Sequence, residues 1–117
     1  MAITSEYAEF VSELFAAFGP MRVKRMFGGA GIFCDDVMIG LVADWSIFLR
    51  TDEALAADMS AEGSMPFVYS GKSKTVEMPY WRLPERLIDD PEELAGFARR
   101  AHEAALNAKS VKKKRKR

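Results

Sequence analysis

Apolar residues recur along the first stretch of the chain with helical spacing. Tyr7, Phe10, Val11, Leu14, Phe15 and Phe18 form one stripe, and Glu6, Glu9 and Glu13 lie off it. Thr4 suits an N-cap and Gly19-Pro20 ends the pattern, which predicts an amphipathic helix over residues 4–18. Four large aromatics on one stripe predict packing against a sheet. From Met21 the period changes to two. Met21, Val23 and Phe27 share one face and Arg22 and Lys24 the other. The alternation falters at Arg25-Met26, which predicts a bulge there. Gly28, Gly29 and Gly31 follow within four positions. Glycine tolerates positive φ and close backbone approach, so the run predicts a tight strand connection.

Ile32-Phe33-Cys34 reads as a second strand and Asp35-Asp36 as a turn. Val37 to Ala43 is apolar on both faces, the pattern of a central strand. Asp44-Trp45 reverses the chain into Ser46–Arg50. Connections this short favour an antiparallel meander, because parallel neighbours need long crossovers. Thr51 or Asp52 caps a short helix over about residues 53–62, whose edge is Leu55 and Met59, with Gly63 at its C′ position. Phe67-Val68-Tyr69 and Thr75–Met78 flank Ser70-Gly71-Lys72 as a hairpin. Pro79 cannot donate to a ladder and predicts an edge or an ending strand. Asp90-Pro91-Glu92-Glu93 combines an N-cap, a proline at N1 and a capping acid. Leu94, Phe97, Ala98, Ala101 and Ala105 carry that last helix to about Lys109. The pattern gives an α+β fold: a mostly antiparallel sheet of about five to six strands, packed by N- and C-terminal helices, with one short middle helix.

Composition changes this picture in one respect. At 117 residues the chain is one domain by length and long enough to close a core without a disulfide or metal. The formal net charge is zero, but Lys112-Lys113-Lys114-Arg115-Lys116-Arg117 holds six of the 17 cations. The remaining 11 face all 17 acids, so residues 1–111 carry −6. The chain therefore divides into a domain over residues 1–110 and a basic tail over 111–117, expected to be disordered. Cys34 is the sole cysteine, which excludes an intrachain disulfide and fits a reducing cytoplasm. The N-terminal residues lack the pattern of a signal peptide, and no apolar run is long enough to span a membrane.

Two blocks carry a family resemblance. The first is Arg25-Met26-Phe27-Gly28-Gly29-Ala30-Gly31-Ile32-Phe33, followed by Ile39–Asp44 and Phe48-Leu49-Arg50. The second is Phe67-Val68-Tyr69, then Met78-Pro79-Tyr80-Trp81-Arg82-Leu83-Pro84, then Asp89-Asp90-Pro91. Together, from about residue 7 to residue 105, they resemble the N-terminal domain of the TfoX/Sxy family of bacterial competence regulators. The resemblance implies an antiparallel sheet with helices against it. It also implies a co-regulator of DNA-uptake genes, partnered in the two-domain members with the cyclic-AMP receptor protein. The chain looks like a stand-alone version without the second, helical domain. Trp45 stands at a turn where a small residue is commoner. The family supplies no catalytic residues to carry over.

The chemistry available to the residues is sparse. The glycine run feeds a strand rather than a helix N-terminus and lacks Gly-Lys-Ser/Thr, so it reads as structural rather than phosphate-binding. Cys34 has acidic neighbours that raise a thiol pKa, against a nucleophilic role. His102 is the sole histidine and reads as a surface residue of the last helix. One His and one Cys leave a zinc site dependent on carboxylates. Asp35-Asp36 and Asp89-Asp90 sit at turns or caps. No catalytic residue, metal or cofactor is assigned, and the reading is non-enzymatic. Tyr, Trp and Arg dominate interface hot spots, so Arg25, Phe27, Tyr80, Trp81 and Arg82 are the candidate protein-binding set. Adjacent strand residues face opposite ways, so Tyr80 and Trp81 share the core only if the strand is covered on both sides.

The expectation is a regulatory or adaptor domain in the cytoplasm, acting on a protein partner in transcription, with a homodimer as a second class of contact. The alternative is a nucleic-acid-associated protein. In that reading Lys112, Lys113, Lys114, Arg115, Lys116 and Arg117 hold DNA or RNA phosphates without sequence preference. No membrane partner is expected.

Overall fold

Tight reversals set the topology. The computed structural model describes residues 4–26, 29–70 and 73–115, with side chains to Ala108. Helix α1 (Ser5–Leu14) precedes strands β1 (Arg22–Met26), β2 (Gly29–Cys34), β3 (Val37–Ala43) and β4 (Ser46–Arg50). Helix α2 (Glu53–Ala61) leads to β5 (Pro66–Ser70) and β6 (Thr75–Arg82). A 3-10 turn (Glu85–Asp89) then delivers α3 (Pro91–Arg115). The strands form one antiparallel sheet in the order β1-β2-β3-β4-β6-β5. The fold is α+β, with the three helices in the places expected from the pattern.

Two reversals are two-residue turns with both residues left-handed: Asp35 (φ 48°) and Asp36 (φ 67°), then Asp44 (φ 51°) and Trp45 (φ 62°). This is the hairpin geometry whose twist matches that of the strands. A left-handed residue with a Cβ costs about 1–2 kcal/mol, and a bulky one is unusual. Trp45 is held there by neighbours. The Tyr7 hydroxyl donates to the Trp45 carbonyl at 2.9 Å, and the two rings meet edge-on at 5.1 Å.

Helix ends follow the expected chemistry. Thr4 Oγ1 accepts from the Tyr7 N–H, Asp52 Oδ1 from Leu55 and Asp90 Oδ1 from Glu93. After α2, Gly63 turns left-handed (φ 86°), and the Ser64 and Gly63 N–H groups donate to the Met59 and Ser60 carbonyls. That is the Schellman arrangement, which uses glycine's freedom at C′. Two helix ends differ from the pattern. Helix α1 stops at Leu14, with Phe15–Phe18 in turns, and Phe10 is 40% exposed rather than core. Helix α3 runs past Lys109 to Arg115, so the backbone of Lys112–Arg115 is helical.

The core lies on one face of the sheet. Ile32, Ile39, Val42, Ile47 and Leu49 point there, against Val11 of α1 and Phe15 just after it, Leu55 and Met59 of α2, and Leu94, Ala98 and Ala101 of α3. The bulge falls elsewhere than at Arg25-Met26, where pairing is continuous from Arg22↔Phe33 to Met26↔Gly29. It lies in β3: Ile32 pairs Gly40 and Phe33 pairs Met38, leaving Ile39 as the extra residue. The displaced Ile39 is fully buried.

The glycines also serve a different end. Gly29 and Gly31 belong to β2 itself. A Cβ on Gly29 would stand 2.1 Å from the Val42 carbonyl oxygen, so close backbone approach explains it. Gly28 is outside the described residues. Pro79 is likewise not at an edge, since β6 lies between β4 and β5. Pairing with β5 breaks its register between Pro66 and Val68, opposite this stretch, so a residue without an N–H is accommodated.

An ion-pair junction joins the helices at one end. Arg86 Nε and Nη2 donate to the two Glu62 oxygens at 2.7 and 2.9 Å, and Nη1 and Nη2 to Glu93 at 2.9 and 2.6 Å. One guanidinium thus ties the C-cap of α2 to the first turn of α3. The hydrogen bond from Arg86 holds the Glu93 carboxyl below its usual range, and Glu93 and then Glu62 hold the guanidinium protonated.

Candidate protein-docking face

All three helices pack on one side, and among the described residues no layer covers the other side of the sheet. Strand alternation and register decide which residues stand there. Phe33, Met26 and Met38 converge on the position a Gly31 side chain would take, with Met26 Cε and Phe33 Cε1 each 2.8 Å from it. Leu41 is opposite both Gly31 and Phe48 in the ladder. Phe48 meets Phe67 of β5 edge-on at 5.2 Å, so the β5–β6 hairpin curls toward the central strands. The result is an open groove of about 690 Å³ whose walls include Met26, Met38, Leu41, Ala43, Phe67 and Tyr69. Tyr69 is 59% exposed at its lip. Methionine and aromatic side chains at one uncovered surface suit adaptable apolar contact.

The expected binding residues do not form one patch. Trp81 pairs with Leu49 on the helix side and packs against the core. Tyr80 faces the other way and is 7% exposed. The Arg50 guanidinium lies 5.6 Å from its ring centroid, while the buried Arg50 Nε has no hydrogen-bond partner among the described residues. Arg82 is exposed on the open face opposite Phe48. Arg25 is exposed on β1, on the helix side, beside Glu9 and Ser12 of α1. Three strands separate β1 from β6. Phe27 lies outside the described residues. Of the tail, Lys112–Arg115 are in helical backbone, and Lys116 and Arg117 lie outside the described residues.

The remaining candidates stand apart from the groove. Cys34 is half-buried, and burial, then Asp35, pushes its thiol above the ordinary value. The His102 ring lies edge-on to Phe18 at 6.0 Å. Among the described residues there is no group of three or more His, Cys, Asp or Glu placed to hold a metal. No helix among them is long and apolar enough to cross a membrane. Sequence reasoning missed Met26, Met38, Leu41 and Tyr69 as surface. The signal for Met38 and Leu41 was the apolar character of β3 on both faces, taken there as the pattern of a central strand.

The chain is an α+β domain with a helix-covered face and an apolar groove on the other face of its sheet. Its family follows from comparison: residues 13–105 match the TfoX N-terminal domain, and the chain belongs to that family. Two curated relatives are similar to it. "Protein Sxy" of Escherichia coli is 26% identical over 105 residues, covering 90% of this chain and 50% of the relative. "DNA transformation protein TfoX1" of Aliivibrio fischeri is 25% identical over 111 residues, covering 95% and 51%. The chain therefore spans about half the length of these curated relatives.

Proposed function

We propose that this chain is a non-enzymatic regulatory adaptor domain that holds a protein partner in the control of DNA-uptake genes. The observation that carries the reading is the uncovered sheet face, whose Met26, Met38, Leu41, Phe67 and Tyr69 line an apolar groove. Membership of the TfoX N-terminal domain family and the name of the relative called a DNA transformation protein supply the biological setting. The test is genetic. Deleting the gene in its host is expected to lower transcripts of DNA-uptake genes several-fold, with restoration by the intact chain. Unchanged transcripts would remove the regulatory reading.

A second reading has one specific observation behind it. Helix α3 continues to Arg115, so Lys112–Arg115 extend a folded element. Six cations engaging duplex DNA would give a salt slope of about −5 in log–log terms. A gel shift comparing the intact chain with a 1–111 truncation measures this. Equal binding by the two removes the tail from the account.

A further inference from the structure

The charges on the open face do not follow those of the body. Residues 1–111 carry −6, yet the strands place only cations on this side, and the acid that lines the groove, Asp44, belongs to the β3–β4 turn. Arg22, Lys24, Arg50 and Arg82 stand on it, and the one acid within the six strands, Glu77, pairs with Val68 on the opposite side. The register arranges these cations in order. One row crosses the sheet as Lys24, Gly31, Leu41, Phe48 and Arg82. A neighbouring row begins Arg22, Phe33, Met38, and Arg50 and Tyr80 form a pair farther across. Arg22 and Lys24 form a column on β1 and Arg82 stands on β6, with the apolar Leu41 and Phe48 between Lys24 and Arg82; Arg50 stands on β4, two positions along from Phe48. Arg22 already meets Asp36, but at 3.4 Å and with both side chains mostly exposed, so that contact leaves it available.

The spacing selects an occupant. Lys24 and Arg82 are four strand spacings apart, about 19 Å at about 4.8 Å each. An α-helix with its side chains is about 10–12 Å across. A helix lying along the strands would seat its apolar stripe on Leu41, Phe48 and Met38. Carboxylates on its two flanks would then reach a cation on either side. A nucleic-acid strand is the poorer fit, because the floor where its phosphates would run is apolar.

The geometry points to this face as the docking site for an amphipathic helix of a protein partner, carrying apolar anchors along one stripe and acidic residues on both flanks. The inference rests on the adaptor reading and names the chemistry of the partner it requires.

The test uses the intact chain and a displayed library of 16-residue helical peptides, with leucine fixed at i, i+3/i+4 and i+7 and the flanking positions randomised. Selected peptides are expected to carry Asp and Glu well above Lys and Arg at the flanks. Fluorescence anisotropy should show their binding weakening with salt. Lys24→Glu with Arg82→Glu, both at exposed positions, should cost an acid-flanked peptide at least 10-fold and improve a lysine-flanked one. Circular dichroism confirms that the double variant folds. Unbiased or basic flanks, no binder above background, or indifference to the double reversal would overturn the proposal. So would tighter binding of a 15-nucleotide oligo-dT that displaces the peptide, which would make the face a nucleic-acid platform. Self-association that the double reversal abolishes would overturn it in favour of a second copy. The transcript experiment on the deletion strain is independent of all these outcomes, so the adaptor reading and this inference fail separately.

Discussion

The two faces of the sheet are built from the same strands and do opposite things. On the helix side, Ile32, Leu49 and Leu94 are fully buried, and the acids of α1, α2 and α3 surround that layer on the outside. On the open side, Leu41, Phe48 and Met38 are half-covered, and the strand charges are positive. Burial on the first face supplies stability. The second face keeps apolar surface that folding alone would have covered. A domain of this size gains from covering such surface at about 25 cal/mol per Å², so its retention marks a use.

Substitution separates the two most sharply at large side chains. Leu94→Ala is expected to cost about 2–5 kcal/mol in urea unfolding, because it opens a cavity in a closed layer. Leu41→Ala should cost less than about 1.5 kcal/mol while lowering peptide affinity. Equal losses of stability would mean that the open face is a second core. The glycines give the next contrast. Gly29→Ala drives a Cβ into the Val42 carbonyl, which cannot move aside, and should cost about 3 kcal/mol. Gly31→Ala meets only the ends of Met26, Phe33 and Met38 and should cost about 1 kcal/mol, with its larger effect on docking.

Smaller effects come from the turns and the ion-pair junction. Replacing Asp35-Asp36 by Asn-Gly removes left-handed strain at a hairpin shared by both faces and should add about 1 kcal/mol. The Glu93 carboxyl is held below its ordinary value of 4.5, so its contribution is present above that pH and is lost as pH falls through the lowered value. Arg86→Ala should therefore melt earlier than the parent at neutral pH, and the two curves should converge in acid. The Cys34 thiol lies above its ordinary 9.0, so its reaction with a disulfide reagent at pH 8 should be slower than that of a free thiol.

Much of the fold was legible because local chemistry dictates it. Asp52 and Asp90 cap, Gly63 terminates and Asp44-Trp45 reverses, each through neighbours within a few positions. What escaped depends on distant partners. The role of Gly29 is set by Val42, thirteen residues on, and the place of Pro79 by insertion of β6 between β4 and β5. The Arg86 junction joins Glu62 and Glu93 across three elements, and no local period signals it. The candidate binding residues were named without their places in the sheet. Aromatics and arginines were taken as the material for contact, and alternation sends Trp81 inward and Arg82 outward. The open groove follows from all three helices choosing one side, a choice that no single helix records.

The order of the elements along the chain has a bearing on biogenesis. Strands β1 to β4 are joined in succession and can zip together while the ribosome is still at work, yet α3, the layer that seals β3 and β4, is made last. For that interval β3 and β4 lack their α3 cover, while α1 and α2 can already pack on the same side of the sheet. Sticky intermediates, and any chaperone that attends them, therefore belong to the moment before the final helix docks.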